Sequence, residues 1–226
     1  MAPKAKSPRR ERMGGADEFD ADAAMAKARM TYVKMLFVTV PATQVVLALG
    51  TYALTAHGLG KQEVLATKFA FLERYDLGYV YLCVYLLCLG RSAIMVNANA
   101  TRAGAQVDRP DQHVYEVADA KASKVSMASE GAAGKFNRAQ RGAFNTDEAL
   151  PAVLVSTCLA AAVFGPVVVG IVALIVYGRI KFAVLYTESS AKRGAGFMPA
   201  VIGENWMHGL VLFTALKAIA GSHFPL

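Results

Sequence analysis

Residues 136–151 read FNRAQRGAFNTDEALP, and residues 152–178 continue as AVLVSTCLAAAVFGPVVVGIVALIVYG. The first stretch carries Arg138, Arg141, Asp147 and Glu148; the second carries no charged side chain. A run this long and apolar marks chain that crosses a bilayer as helix, because lipid offers backbone N–H and C=O groups no partner but each other. Gly165-Pro166 divides the run, since proline suits the first turn of a helix and cannot sit comfortably inside one. Two antiparallel spans follow: one starts inside the quoted motif and ends near Phe164, and the next covers residues 166–186. The fold class is therefore all-α, an integral membrane helix bundle.

The rest of the chain agrees. Of 226 residues, 55% are hydrophobic and only 18% charged, below the quarter usual for soluble domains. The apolar residues come in blocks, at 32–56, 77–98 and 201–220 besides the two spans above, which makes five spans in all. The last is the least apolar, with Glu204, His208 and Lys217. Pro41 predicts a kink in the first block, and Lys34 near its start can snorkel to the interface. Arg91 lies well inside the second block, so it faces the bundle interior or marks where the helix leaves the membrane. The net charge of +7 reads as bilayer orientation rather than nucleic-acid binding, because no phosphate loop or aromatic-basic motif accompanies it.

Residues 1–30 are polar, basic first and then acidic in DEFDAD, and predict a disordered tail rather than a signal peptide or presequence. Residues 31–76 hold the extra first span and a connection in which Val64, Leu65, Phe69 and Leu72 share a helical face. Residues 77–226 form the main membrane domain, with a loop containing some helix over 99–135. With five spans, the basic tail, the 99–141 region and Lys192-Arg193 share one side, the cytosol by the positive-inside rule. Cys83, Cys88 and Cys158 lie inside apolar blocks without metal-site spacing and read as buried thiols. His113 reads as a solvated loop histidine, Trp206 as an interfacial anchor, and Glu204 with His208 as a local polar pair.

Arg141, Asn145 and Glu148 stand at i, i+4 and i+7 on one helical face, and Arg179, Phe182 and Tyr186 at i, i+3 and i+7 on the next span. The short turn between the spans brings the two faces to one depth, with Arg193 one loop later on the same side. Charges near lipid cost on the order of 2.5–3.5 kcal/mol each at a helix centre. They are kept either as an internal network, Arg141 to Glu148 with Asn145 bridging, or as a ligand site.

FNRAQRGAFNTDEALP resembles the signature of the MAPEG family, membrane-associated proteins in eicosanoid and glutathione metabolism, and is most similar to the type-three microsomal glutathione transferases. Phe136, Asn137, Gln140, Arg141, Asn145, Thr146, Glu148 and Pro151 match the pattern FNxxQRAHQNTLExxP. GRIKFAVLY at 178–186, followed by Ser190, Lys192 and Arg193, matches the family's GRxxYxxxY and its basic SKR. The resemblance covers roughly residues 77–220. It implies a four-helix membrane bundle, here with one extra N-terminal span, assembled as a homotrimer. Glutathione would bind at the cytosolic side through Arg141, Asn145, Glu148, Arg179 and Tyr186, with Arg138 beside them. Arg193, with Lys192 as its substitute, would hold the thiol as a nucleophilic thiolate. A lipophilic acceptor would arrive from the bilayer.

The chain departs from the pattern at Ala143 and Phe144, where the family keeps polar groups, at Ala149, and at Phe182, where it keeps a tyrosine. Each lost contact weakens binding by about 0.5–1.5 kcal/mol. Two functions follow: a glutathione-dependent transferase or lipid-hydroperoxide reductase, or a non-catalytic MAPEG-fold subunit or lipid-binding scaffold within a larger complex. The resemblance implies the endoplasmic reticulum, with a mitochondrial or plastid membrane as the alternative.

Overall fold

In the computed structural model the described residues are 19–108, 113–119 and 124–221. Helix α1 spans Ala21–Gly58 and opens on Asp20, whose side chain accepts from the backbone N–H groups of Asp22 and Ala23 at 3.0 and 2.9 Å. That cap and the alanine-rich stretch behind it make helix of residues 21–30, which composition places in a disordered tail. Residues 1–18 of the expected tail lie outside the described residues. At Pro41 the backbone takes a π turn over Met35–Thr39, in which Val40 N–H reaches Met35 O. The wider turn accommodates a residue that lacks an N–H and crowds the preceding turn.

Helix α2, Gln62–Arg74, covers the expected connection; Leu65 and Leu72 are half-buried, Val64 and Phe69 are exposed, and the Phe69 ring stands 6.2 Å from that of Tyr52. Helix α3 covers Gly78–Ala105 and stops at Gln106, a left-handed residue with φ 52°. An antiparallel hairpin follows, β1 (Tyr115–Asp119) and β2 (Lys124–Met127), with Tyr115 opposite Met127 and Val117 opposite Val125. The helix expected within 99–135 is present at both ends, to Ala105 and from Gly131, but the paired strands between them were not expected. The period-two alternation of YEV and KVSM was the available signal, in segments too short to stand out.

Helix α4, Gly131–Glu188, is the quoted motif and its apolar continuation. It folds back at Gly165, whose φ of 36° and ψ of −106° break the helix into limbs 131–164 and 166–188. A side chain at Gly165 would be strained by that φ and would press on the Tyr79 ring at 3.0 Å. The limbs run antiparallel: a Cβ on Gly142 would stand 3.3 Å from the Ala183 backbone. A 3₁₀ turn, Ser190–Arg193, leads into α5, Gly194–Ala220, which packs along the second limb.

Among the described residues, α1, α3 and α4 are long and apolar enough to cross a membrane. α5, which carries Glu204, His208 and Lys217, falls below the hydropathy of those three. The main bundle is α3, the two limbs of α4, and α5. One apolar cluster joins Cys83, Leu87, Val153, Ile171, Val172, Ile175 and Met207; a second, alanine-rich cluster joins Ile94, Ala98, Ala139, Ala143 and Ala183 toward the loop-rich end.

The second limb and α5 touch backbone to backbone. A Cβ on Gly178 would strike Ala200, and one on Gly196 would strike the Phe182 backbone. Small residues at such crossings are how helices associate in lipid, where burying apolar surface gives no drive. Gly196→Leu is therefore expected to destabilise the bundle by about 3 kcal/mol or more. Gly209→Leu, with open space at its Cβ, should stay near wild type in thermal unfolding in detergent.

Candidate functional site

Between the two apolar clusters lies a polar layer. Arg179 on the second limb donates from Nε to Glu204 Oε1 at 2.7 Å and from Nη1 to Asn145 Oδ1 at 2.8 Å. The Arg179 and Glu204 side chains are 11% and 14% exposed, so the pair is largely shielded. On α3, Arg91 makes a bidentate pair with Asp147 at 2.8 and 3.0 Å. The Arg91 side chain is 43% exposed, so this pair stands on the side of the bundle and not in its interior. The layer takes Asn145 away from the role of bridging Arg141 and Glu148, and takes Glu204 away from His208. Arginine's five donors reach two helices at once, which no contact within one helix can offset.

Nearer the loop-rich end, Arg141 and Glu148 do meet, at 2.7 and 3.3 Å, along one face of the first limb. Both are about half exposed, 48% and 58%. Arg138 and Arg141 line a cavity of about 480 Å³ with Tyr186, Glu130, Glu188 and Ser190. Arg193 does not line it, but its guanidinium carbon lies 5.9 Å from the centre of the ring of Tyr186, which does. Lys192 is drawn to Glu188 at 3.0 Å.

The expected site residues therefore divide. Arg138, Arg141 and Tyr186 line the cavity, with Glu148 paired to Arg141 and Arg193 against Tyr186. Asn145 and Arg179 lie deeper, in the polar layer. The divergences from the family pattern fall elsewhere too. Ala143 is packed in the alanine-rich cluster, Phe144 faces His113 at 5.7 Å, and Phe182 is buried between Tyr186 and Phe197.

Asn137, another matching residue, clamps the hairpin. Its amide donates to Val114 O at 2.8 Å and Ala128 O at 2.9 Å, and its Oδ1 accepts from Val114 N–H at 2.9 Å. That clamp carries Met127, Ala128 and Ser129 into the cavity wall. Residues that sequence reasoning did not single out are Glu130, Glu188, Asn97 and Thr187. A polar asparagine in an apolar block is the signal that could have found Asn97, whereas Thr187 stands just past the 166–186 span. Among the described residues no group of His, Cys, Asp and Glu could hold a metal ion.

Chemically, the cavity offers guanidinium and carboxylate groups across one polar space. That set suits a zwitterion with more than one carboxylate, since arginine holds carboxylates through paired, charge-assisted hydrogen bonds. A model of the MAPEG family matches residues 80–216. No curated protein matches the chain.

The two ion pairs should differ in weight. Glu204→Ala leaves Arg179 shielded and short of a partner, and is expected to cost about 3 kcal/mol. Glu148→Ala breaks an exposed pair and should cost within about 1 kcal/mol. Thermal unfolding of both variants in detergent checks the ranking, and equal losses would contradict it.

Proposed function

The chain belongs to the MAPEG family, and from that premise we propose that the cavity holds glutathione for a membrane transferase or peroxidase acting on lipophilic electrophiles or lipid hydroperoxides. The observation that carries this reading is the meeting of Arg138, Arg141, Tyr186 and Glu188 around one space of about 480 Å³, with Arg193 against the Tyr186 ring. The volume falls within the range of small-molecule sites. The donor set fits the tripeptide: two arginines for its two carboxylates, and a glutamate for its ammonium. Opening the exposed Arg141–Glu148 pair costs about 1 kcal/mol or less, so both groups are available to a ligand. Asn145 and Arg179, held in the polar layer, keep the limbs at the spacing the cavity needs.

Glutathione supplies a thiol, the nucleophile for conjugation or the reductant for a peroxide. The contribution of Arg193 is positive charge beside that thiol, which lowers its pKa and raises the thiolate fraction. The Tyr186 ring face attracts that guanidinium and helps to hold it. The acceptor enters from the bilayer. The same reading carries a homotrimer in the endoplasmic reticulum membrane.

One observation favours a second reading. Phe182, at the family's tyrosine position, is buried against Phe197 and offers no hydroxyl. On that reading the chain is a non-catalytic subunit or lipid-binding scaffold within a larger complex.

The test uses the full chain in detergent. Glutathione binding is followed by calorimetry, and turnover by conjugation of 1-chloro-2,4-dinitrobenzene and reduction of a fatty-acid hydroperoxide. Arg141→Ala should weaken binding about tenfold. Arg193→Ala should lower turnover roughly a hundredfold while binding persists. Binding without turnover in the wild type would select the second reading, and no binding at all would overturn the site.

A further inference from the structure

The first part of the N-terminal helix docks on the main bundle, from Ala21 down to Gln44, whose side chain accepts from Tyr85 Oη at 3.3 Å. Residues Ala21–Lys34 pack along α3, where Gly104 lets the backbone approach: a Cβ there would stand 2.9 Å from Ala21 O. Asp22 pairs with Lys135 of α4 at 3.0 Å. Two turns further along α1, Arg29 donates from Nη2 to Asn97 Oδ1 at 3.2 Å.

That contact starts a chain of hydrogen bonds. Asn97, only 5% exposed on α3, donates from Nδ2 to Thr187 Oγ1 at 2.8 Å. Thr187, also 5% exposed, lies in the last turn of α4 between the cavity residues Tyr186 and Glu188. Its carbonyl accepts from Arg138 Nε at 3.1 Å, and Arg138 Nη1 donates to Ser129 O at 2.6 Å. The Arg138 guanidinium is thus held by Ser129, which lines the cavity, and by Thr187, which stands between two lining residues and whose hydroxyl accepts from Asn97 and donates to Ala183 O at 2.8 Å. Asn97 in turn has Arg29 as the partner of its Oδ1. Removing Arg29 leaves a buried carbonyl oxygen short of a donor, which penalises the observed rotamer.

We propose that α1 is a positioning element for the cavity: Arg29, through Asn97 and Thr187, holds Arg138 in its binding orientation, so ligand affinity depends on α1 being docked. Arg29 is a positioning residue and touches no ligand. The effect on affinity rests on the glutathione reading above; the structural link does not.

The experiment uses the full chain in detergent. Amide hydrogen exchange over residues 186–190 and glutathione affinity are measured for wild type, Arg29→Ala, Gly104→Val, Thr187→Val, Thr187→Ser and the control Lys34→Ala. Lys34 is exposed on the same helix and outside the relay. Arg29→Ala and Thr187→Val should raise exchange over 186–190 about tenfold, as local opening does, without comparable change in the apolar core. They should also weaken glutathione about tenfold. Gly104→Val should do the same by lifting α1, with every relay residue intact. Thr187→Ser keeps the hydroxyl and should match wild type, as should Lys34→Ala. Unchanged exchange in Arg29→Ala overturns the link, and faster exchange with unchanged affinity overturns its role in binding. Faster exchange in a chain whose wild type binds no glutathione supports the link and overturns the glutathione reading instead.

Discussion

Arg179 ties the bundle together across its width. Its guanidinium reaches Glu204 on α5 and Asn145 on the first limb of α4, while Arg91 joins α3 to the neighbouring Asp147. In lipid, apolar burial does little to hold one helix against another, so hydrogen bonds and close backbone contact set the register. Both devices act at the same crossing, where Gly178 and Gly196 let the second limb and α5 touch. Sliding α5 by one residue would part Glu204 from Arg179 and drive a side chain into the Phe182 backbone. Each device therefore excludes the shifts that the other excludes.

The cavity depends on that register. Arg138 and Arg141 stand on the first limb, Tyr186 and Glu188 at the end of the second, and the Gly165 reversal brings them opposite one another. Two kinds of charge result. Arg179 and Glu204 are shielded and mutually committed, whereas Arg141 and Glu148 are exposed and cheap to separate. The first pair belongs to architecture and the second to exchange with a ligand. The N-terminal helix adds a third level, because its Arg29 reaches the cavity wall only through Asn97 and Thr187.

Much of this was legible in the sequence. The uncharged run of 152–178 and the Gly165-Pro166 break specified two antiparallel limbs, since both signals are local and unambiguous in lipid. The i, i+7 spacing of Arg141 and Glu148 likewise anticipated their pairing, because helix geometry alone brings them together. The partner of Asn145 was not legible. It faces a second helix, and its choice between Arg141 and Arg179 depends on how the limbs rotate against each other. The hairpin at 115–127 and the start of α1 at Ala21 were missed for separate reasons. The paired strands rest on the Asn137 clamp, a tertiary contact, and the helix start rests on the Asp20 cap and the alanines behind it, a short signal that the overall polarity of residues 1–30 masks.

The sequence by itself determined that this is a helical membrane protein, where its chain reverses, and which residues stand near the polar end of its spans. Hydropathy and backbone stereochemistry act over a few residues, so the order of letters is enough to decide them. Only the tertiary structure divided those polar residues into a locked layer and an open cavity, and only it attached the first helix to the cavity wall. A guanidinium with five donors can satisfy several acceptors equally well. Which ones it takes is decided by helix rotation and by contacts a few ångströms wide between residues as distant in sequence as Arg29 and Asn97.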